Sequence, residues 1–527
     1  MTMHICSIRR YAPLGFFGMM GALSPVTCTL ANDNLGFSIE EVVVTAQKRA
    51  ESLQDIPLAV TAFTGDELRE DGVADVSNLA SKTPGLVFGS FNPGQPEIAI
   101  RGVSSKEDGP STSVPTVISV DGVYIAARSA QIFDIFDLER IEVLRGPQGT
   151  LYGKNAIGGS INFISSKPTE ETEIRIRQTF GSYNRTDTGG MISGAISNDL
   201  GLYGKLSFSR RKADGYVESV LTGEEWQDTD SFNWRGQLRY QPTDNLEVMF
   251  TVDGADDDGG PQGKWALAGP TLESYRKLGG GPYDILEDDI GSFVKRTVEG
   301  YSLSVDYDLE NITLTSVTAY RSSEFDIAES TFGFTSKNEV PGSPNYIYVL
   351  DTDNTVSEEA TQITQELRLS SNDGDLQWVA GVFYSLEDIE RLDSLAWSYR
   401  DSDFTVQGSN QSNESTSWAL FGQASYRLTN SLRLTAGLRY SYEKKEMEVQ
   451  GLNDNETFLL QITENFTAAA DEDWSNVSGR IALDYGLTED ILIYANIATG
   501  YKSGGFRGFP KNGDTAVIPI EPEEALN

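Results

Sequence analysis

The side chains that most often carry covalent or metal chemistry lie at the very start of this chain. Its two cysteines are Cys6 and Cys28, and its single histidine is His4. If the N-terminal segment that contains these three residues is cleaved off, the remaining chain has no thiolate nucleophile, no imidazole base and no imidazole metal ligand. Most enzyme mechanisms are then excluded, so we expect no catalytic residue, no cofactor and no metal site.

Residues 1–31 have the composition of a signal peptide for export. Arg9 and Arg10 precede the apolar stretch YAPLGFFGMMGALSPVT, and small residues follow up to Ala31. This order of a basic, an apolar and a small-residue region is typical of a cleaved signal. A permanent N-terminal membrane anchor is the alternative, but two prolines within the apolar stretch disfavour a lasting helix. No later segment reaches the ~20 apolar residues of a spanning helix.

A second stretch with possible chemistry is GPQGTLYGK, residues 146–154, in which glycines precede Lys154. Glycines with a lysine can form a phosphate-binding loop, but the Walker spacing and the following Ser or Thr are missing. Tight turns and close backbone approach are the better explanation of these glycines.

Charge and composition restrict the class of partner. The chain has 527 residues and a formal net charge of −37, which disfavours nucleic acid because phosphate binding needs Lys and Arg. It also has 22 Tyr and 24 Phe, so it is not a disordered acidic chain.

Short helices and strands alternate between about residues 40 and 168. Thr64 and Glu67 form the pattern of a capping box that opens a helix. Pro84–Gly85 ends the next helical piece, and Asp121–Gly122 lies between two alternating runs as a two-residue hairpin turn. By itself this part could be a small soluble α+β domain.

After about residue 170 the pattern changes to long segments with strict period-2 alternation. Three examples are SFNWRGQLRYQ (231–241), YSLSVDYDL (301–309) and SLRLTAGLRYSY (431–442). A soluble β-sandwich also alternates in this way.

The lengths of the connections separate the two possibilities. Short turns at 197–201, 241–245, 308–311, 371–375, 427–430 and 486–490 alternate with long acidic connections near 213–230, 255–297, 388–415 and 446–472. Transmembrane barrels alternate short turns and long loops in this way. We therefore predict an all-β transmembrane antiparallel β-barrel preceded by an α+β domain.

We count roughly thirteen strands, and the final EPEEALN resembles the approach to a fourteenth. A closed single-chain barrel needs an even number of strands. The sequence is accordingly expected to be an incomplete barrel that lacks eight or nine further strands of a 22-stranded type.

Specific motifs then point to a family. IRGVSS (100–105), VDGVYI (120–125) and IFDLERIEVLRGPQGTLYGKNAIGGSINFISSKP (135–168) closely resemble the plug domain of TonB-dependent outer-membrane receptors. QELRLSS (365–371) and ATGYKSGGFRG (498–508) resemble barrel segments of the same family. The resemblance implies four parts: a signal peptide (1–31), a periplasmic N-terminal segment (32–50), a plug in the barrel lumen (51–168) and a partial barrel (169–527).

The stretch EEVVVTAQ resembles the family's TonB box, an extended segment that pairs with TonB by strand addition. The box residues are Glu41, Val42, Val43, Val44, Thr45 and Ala46. Its three valines favour β structure. From the residues alone, positions 42–44 could equally form the first strand of the plug.

The resemblance also implies a latch of plug arginines on wall glutamates. Arg101 and Arg145 match the plug positions, and Glu366 matches one wall position; a second wall glutamate is expected beyond or at the end of this chain. The alternative is a set of ordinary exposed charges.

By the same resemblance, the chain is a monomeric receptor in the outer membrane of a Gram-negative bacterium, in contact with TonB, its inner-membrane energising complex and outer-membrane lipid. Its expected ligand is a ferric siderophore, and a carbohydrate or other bulky nutrient is the alternative. Haem ligated by histidine is disfavoured, since His4 lies in the signal peptide. A passive porin would need neither box nor plug, and a barrel enzyme would need a base that the mature chain lacks.

Overall fold

The computed structural model describes residues 42–73, 76–90, 94–132, 136–220, 222–260, 262–264, 276, 281, 284–285, 292–330, 351–372, 374–398, 405–454, 462–488 and 491–527. The described residues form a small mixed domain, here called the plug, and one large antiparallel sheet, here called the wall. Among them no helix is both long enough and apolar enough to cross a bilayer.

The plug contains nine strands and two short α-helices. The strands are β1 (Val43–Val44), β2 (Glu51–Ser52), β3 (Val60–Thr64), β4 (Leu86–Ser90), β5 (Pro96–Ile100), β6 (Thr116–Val120), β7 (Val123–Ile125), β8 (Leu138–Arg145) and β9 (Gly159–Ser165). The helices are α1 (Gly65–Glu70) and α2 (Val76–Ala80), and 3₁₀ turns cover Leu53–Asp55 and Arg128–Ala130.

The centre of the plug is a five-stranded sheet in the order β3-β8-β9-β6-β7. All pairs in it are antiparallel except β6 with β9. Every residue of β6 is buried, and Ile118, Ile141 and Ile161 are fully enclosed. A strand covered on both faces reads as a continuous apolar run, which is why this part shows no clean alternation.

Two local predictions for the plug are confirmed. Thr64 accepts a hydrogen bond from the Glu67 amide at 3.2 Å, and the Glu67 carboxylate accepts one from the Thr64 amide at 2.8 Å, so the capping box opens α1. Asp121 and Gly122 join β6 to β7 with φ angles of 50° and 83°. Positive φ at both central residues is the signature of a type I′ hairpin turn.

The wall is a fourteen-stranded antiparallel sheet in strict chain order, which confirms the predicted barrel architecture. Its strands are β10 (Glu173–Phe180), β11 (Thr186–Ser197), β12 (Leu202–Ala213), β15 (Thr229–Thr243), β16 (Leu246–Gly259), β18 (Phe293–Leu309), β19 (Ile312–Ser330), β20 (Asp351–Ser371), β21 (Leu376–Ser398), β22 (Thr405–Thr429), β23 (Leu432–Asn453), β24 (Phe466–Thr488), β25 (Ile491–Lys502) and β26 (Glu523–Leu526). The last of these lies in EPEEALN, where the fourteenth strand was expected.

The remaining elements lie in the connections between wall strands. They are β13 (Val217–Ser219), β14 (Glu225–Trp226) and β17 (Asp284–Ile285), which form a small sheet, and the helix α3 (Gly513–Ala516). Val217, Trp226 and Ile285 form a small buried cluster of their own beneath this sheet.

The wall reverses the usual polarity of a soluble sheet. Large apolar side chains such as Trp234, Leu238 and Leu438 face outward and are 40–62% exposed, whereas the inward Gln237 and Arg439 are buried. The inner face contacts the plug along most of the sheet, for example at Lys205 of β12 with Asp137 and at Tyr501 of β25 with Asn155. An apolar outer face with a polar lumen is what a bilayer requires of a barrel.

The apolar outer face is a band next to the short turns, which join the strands at 198–201, 244–245, 310–311 and 430–431. The predicted turn at 371–375 contains residue 373, which lies outside the described residues. The sixth predicted turn contains residues 489–490, which lie outside the described residues. In β22 the band covers 418–428, and in β23 it covers 432–442. Eleven residues span about 36 Å along a strand and about 25 Å when tilted by ~45°, the height of a hydrocarbon core.

Aromatic side chains border this apolar band. On the side toward the long connections lie Tyr301, Tyr320, Tyr384, Trp418 and Tyr440, and on the side toward the turns lie Tyr240, Tyr307, Tyr426 and Tyr485. Aromatic girdles of this kind mark the two membrane–water interfaces of a barrel.

Two of the long connections predicted from the sequence are mostly strand. β21 and β22 leave only residues 399–404 of the region 388–415, and β23 and β24 leave only 454–465 of the region 446–472. Both faces of these outer strand parts carry polar residues, so the alternation that marked the apolar band is absent there. The strands continue because ladder hydrogen bonds need no apolar face.

Candidate functional site

The N-terminal segment Val42–Ala50 is docked on the plug. β1 pairs with β2 in the register Val43 with Ser52 and Val44 with Glu51. Val44 and Ala46 are buried in a cluster with Ile56, Leu58 and Leu144, and the Thr45 amide donates to Glu142 Oε1 at 2.7 Å. Of the predicted box, Glu41 lies outside the described residues. Val43 and Val44 thus form a paired strand against the plug, which is one of the two alternatives that the residues alone left open.

The end of this segment reaches the wall. Gln47 Oε1 accepts hydrogen bonds from Gln423 at 2.6 Å and from Arg480 at 3.2 Å. Lys48 adopts φ 57° and forms an ion pair with Glu366. Burial lowers the pKa of Lys48 to about 8, although the Glu366 carboxylate opposes this shift. The two residues that follow the predicted box, Gln47 and Lys48, therefore both contact the wall.

Neither of the two plug arginines predicted for the latch contacts Glu366 among the described residues. Glu366 contacts Lys48 and, at 2.9 Å, Arg368, but neither Arg101 nor Arg145. Arg101 lies exposed in a left-handed turn after β5 and donates to Asn527 Oδ1 at 3.0 Å. Arg145 donates to the Pro84 carbonyl at 3.3 Å. The turn geometry directs Arg101 away from Glu366, and Lys48, which sequence reasoning missed, takes the place beside that carboxylate.

A second buried ionic contact joins the plug to the wall at Lys154. Its Nζ lies 3.0 Å from Glu387 and 2.6 Å from Glu443. Burial alone would lower the pKa of Lys154, but the two carboxylates outweigh it and raise the pKa well above its ordinary value. The lysine of the rejected phosphate loop therefore binds two wall carboxylates. Glu387 and Glu443 each lie just before a stretch that was predicted as a long connection, 388–415 and 446–472, so the sequence gave no sign of their pairing.

A third contact centres on Arg391 of β21, which is almost fully buried. Its guanidinium binds Asp108 of the plug at 2.8 and 2.9 Å, Asp393 at 2.9 Å and Glu358 at 3.2 Å. Burial by itself would raise the pKa of Asp108, but the adjacent Arg391 guanidinium has the larger effect, so the pKa lies below its ordinary value. The residues 388–415 had been predicted as loop, so the sequence gave no sign of this arginine's role.

Two of the cavities between the described parts of the plug and the wall are large enough to hold a small molecule. The turn-side cavity, about 850 Å³, is lined by the N-terminal segment and by wall residues near the short turns, including Lys48 and Glu366. The external cavity, about 610 Å³, lies toward the long connections and is lined by plug residues 95–108 and by outer parts of β20, β21 and β22. Both fall in the size range of ligand sites. The plug separates one opening of the wall from the other.

This arrangement agrees with the comparisons to known proteins. Residues 52–160 match the family model for the TonB-dependent receptor plug domain, and residues 249–527 match the TonB dependent receptor-like β-barrel. The chain belongs to the TonB-dependent receptor family. The wall is therefore a barrel wall in the outer membrane of a Gram-negative bacterium, with the short turns in the periplasm and the external cavity toward the medium.

Relatives among characterised proteins cover most of the chain. The pesticin receptor of Yersinia pestis is 26% identical over 494 residues, which are 92% of this chain and 67% of the relative. The pesticin receptor of Yersinia enterocolitica is 25% identical over 515 residues, or 96% of this chain and 70% of the relative. This chain therefore spans about two thirds of the length of these relatives.

Solved structures support the same fold. The ferric yersiniabactin uptake receptor FyuA of Yersinia pestis superimposes with a TM-score of 0.74 at 22% identity, covering 89% of this chain and 68% of that one. The siderophore receptor PiuA of Acinetobacter baumannii gives a TM-score of 0.69 at 18% identity, covering 90% and 70%.

Proposed function

We propose that this receptor imports a ferric siderophore across the outer membrane by active, TonB-dependent transport. The observation that carries the proposal is the external cavity, which lies on the side of the long connections and has plug residues 95–108 as part of its lining. A passive channel would have no use for such a plug, and an enzyme would need catalytic groups there. Related proteins named for ferric yersiniabactin uptake and siderophore reception support iron as the cargo.

The chain then divides by role. Residues 1–31 direct export, 32–50 present the TonB box to the periplasm, 51–168 form the plug and 169–527 form barrel wall. TonB pairs with the box, Glu41–Ala46, by strand addition. Because Val43 and Val44 are docked on β2, the segment must first leave its pocket, which removes Lys48 from Glu366. Because Lys48 and Glu366 are paired, a force that TonB applies to the box also breaks this contact between the plug and the wall.

Uptake of radioactive iron tests this function. The receptor is expressed in a Gram-negative strain that lacks its own siderophore receptors, and the cells receive a panel of ferric siderophores, cobalamin and glycans. We expect accumulation of iron from at least one ferric siderophore, abolished in the same strain without TonB. Accumulation of cobalamin or a glycan alone would contradict the proposal, and uptake without TonB would indicate a passive channel.

Val43→Pro tests the box directly. Proline removes an amide and is poorly tolerated in a paired strand, so TonB docking and uptake should fail while the cell surface still binds ligand. Val43→Thr keeps the amide and the β-branch and serves as the matched control, with near-normal uptake. Wild-type uptake by Val43→Pro would show that the box is misassigned.

A further inference from the structure

The external cavity carries information about the charge of its ligand. Of the described residues that line it, Glu97, Asp108, Glu329 and Asp393 are acidic, and Lys106, Arg128 and Arg391 are basic. Behind this lining, Glu358 adds a carboxylate and Lys264 pairs with Glu329 at 3.0 Å. Carboxylates therefore outnumber cations, in a site where burial strengthens electrostatic interactions.

The most buried cation has no capacity for an anionic ligand. Arg391 directs Nε, Nη1 and Nη2 at Asp108, Asp393 and Glu358, so three carboxylates surround one guanidinium. The local balance at this cluster is negative. A ligand carboxylate or catecholate placed here would meet like charges without a free donor from Arg391.

The cavity also offers a buried acceptor without a partner. Gln407 is 3% exposed and lines the cavity. Its Nε2 donates to the Ile462 carbonyl at 2.8 Å, which sets the orientation of the amide, and its Oε1 accepts no hydrogen bond from the described residues. A buried acceptor left unsatisfied costs free energy, so a donor supplied by a ligand would be favoured.

We propose that the external cavity selects ferric complexes of zero or positive net charge that present N–H, O–H or ammonium donors to Gln407 and to the carboxylates around Arg391. The inference rests on the proposed siderophore function and narrows its substrate class. Three hydroxamates neutralise ferric iron, and a free amine then makes the complex cationic. Three catecholates leave the complex triply negative, which this cavity disfavours.

Affinity measurements on the purified receptor in detergent test the proposal. The probes are the ferric complexes of a linear trihydroxamate with a terminal ammonium, of a cyclic trihydroxamate without one, and of a tricatecholate; the readout is quenching of tryptophan fluorescence. We expect both hydroxamate complexes to bind at least tenfold more tightly than the tricatecholate complex. Equal or tighter binding of the tricatecholate complex would overturn the inference.

Two variants locate the preference within the cavity. Gln407→Leu should weaken the ammonium-bearing complex by up to about tenfold, the value of one lost hydrogen bond. Asp393→Asn should reduce the discrimination against the tricatecholate complex. Gln237→Leu is the matched control, since Gln237 is an inward wall glutamine that lines the turn-side cavity. All three variants should retain the heat-modifiable mobility of a folded barrel.

The outcomes separate this inference from the function on which it rests. Unchanged affinity of both Gln407→Leu and Asp393→Asn for all three probes would refute selection by this cavity while leaving iron uptake intact. If none of the ferric complexes binds and cobalamin or a glycan does, the proposed function fails and the charge preference fails with it.

Discussion

At the scale of single residues, the plug is attached to the wall by buried charges whose partners are distant in sequence. Lys154 binds two wall carboxylates and Lys48 binds one. A buried ion is tolerated only while it is paired, so removal of one partner costs more than the pair itself contributes. Substitution of a residue in one of these buried ion pairs should therefore lower the stability of the plug, whereas substitution of an exposed charge should not.

Lys154→Met should destabilise the plug strongly. The change leaves Glu387 and Glu443 facing each other without a cation, a loss of roughly 3–5 kcal/mol for a broken buried pair. The measurement is the urea midpoint for protease cleavage within the plug. Lys167→Met is the control, because Lys167 is 56% exposed at its side chain and a surface pair contributes less than about 1 kcal/mol. Equal midpoints for the two variants would refute the role of Lys154.

Glu366→Gln should release the N-terminal segment, whereas Arg101→Ala should not. The glutamine cannot form the ion pair with Lys48, and Arg101 makes no contact with Glu366. A spin label at Val43→Cys reports the mobile fraction of the segment. A larger mobile fraction in Arg101→Ala than in Glu366→Gln would restore the latch that the family resemblance implied.

The docking of this segment should strengthen as pH rises from 8 to 10. Undocked Lys48 has the ordinary lysine pKa near 10.4, and burial lowers it to about 8 in the docked state. The undocked form binds more protons in that window, so raising the pH favours the docked form. The same spin label should show a falling mobile fraction, and Lys48→Met should abolish the dependence. A rise in mobility with pH would contradict this assignment.

At the scale of elements, each wall strand has two parts with different solvents. The part next to the turns is apolar outside and polar inside, whereas the outer part is polar on its outer face and buries some apolar residues inside, such as Phe325 and Met447. Residues in the first part face hydrocarbon, where a charge is costly, and residues in the second face water. The same ladder of backbone hydrogen bonds continues through both parts of the strand. Only the side chains on the outer face change where one part ends and the other begins.

Leu438→Lys should therefore impair the wall, whereas Glu448→Lys should not. Leu438 is 62% exposed on the outer face of β23 within the apolar band, and Glu448 lies on the same face beyond it. A lysine near the midplane costs about 2–4 kcal/mol, and near or beyond the interface almost nothing. Urea unfolding in lipid, followed by gel mobility with and without boiling, measures the difference. Equal effects would place the membrane elsewhere on the strand.

At the scale of the whole molecule, the box, the Lys48–Glu366 pair and the turn-side cavity form one continuous region on the periplasmic side. The external cavity lies on the opposite side of the plug. Movement of the N-terminal segment would therefore change the plug–wall contact where a passage to the periplasm must open. In the proposed mechanism this region moves during transport, while Arg391 keeps its contact with Asp108 of the plug on the external side.

A reversible cross-link between plug and wall should stop transport. Cysteines replace Lys48 and Glu366, and a cleavable bismaleimide joins them; the described chain contains no other cysteine. Uptake should fall to the background of a strain without TonB and recover when the linker is cleaved, while ligand binding at the surface persists. The singly substituted variants, treated in the same way, are the controls. Undiminished uptake by the linked protein would refute plug movement at this contact.

The sequence by itself determined every feature that depends on neighbouring residues. The capping box at Thr64, the hairpin turn at Asp121–Gly122 and the alternation of the wall strands follow from local geometry, so each was predictable. The number of strands and the short turns followed from the same pattern. The family followed from long glycine-rich motifs.

Only the tertiary structure decided which distant groups meet. Lys48 and Glu366 are 318 positions apart, and nothing near either residue distinguishes their pairing from one with Arg101. The outer strand parts escaped prediction because their outer face meets water and carries polar residues, which removes the apolar alternation that marks a membrane-spanning strand. The strand pairing of Val43 and Val44 and the burial of Val44 also depended on β2 and on the plug surface. The alternation of side chains along a strand reflects which environment each face of the strand meets. The pairing of buried charges depends instead on the register and curvature of the complete fold.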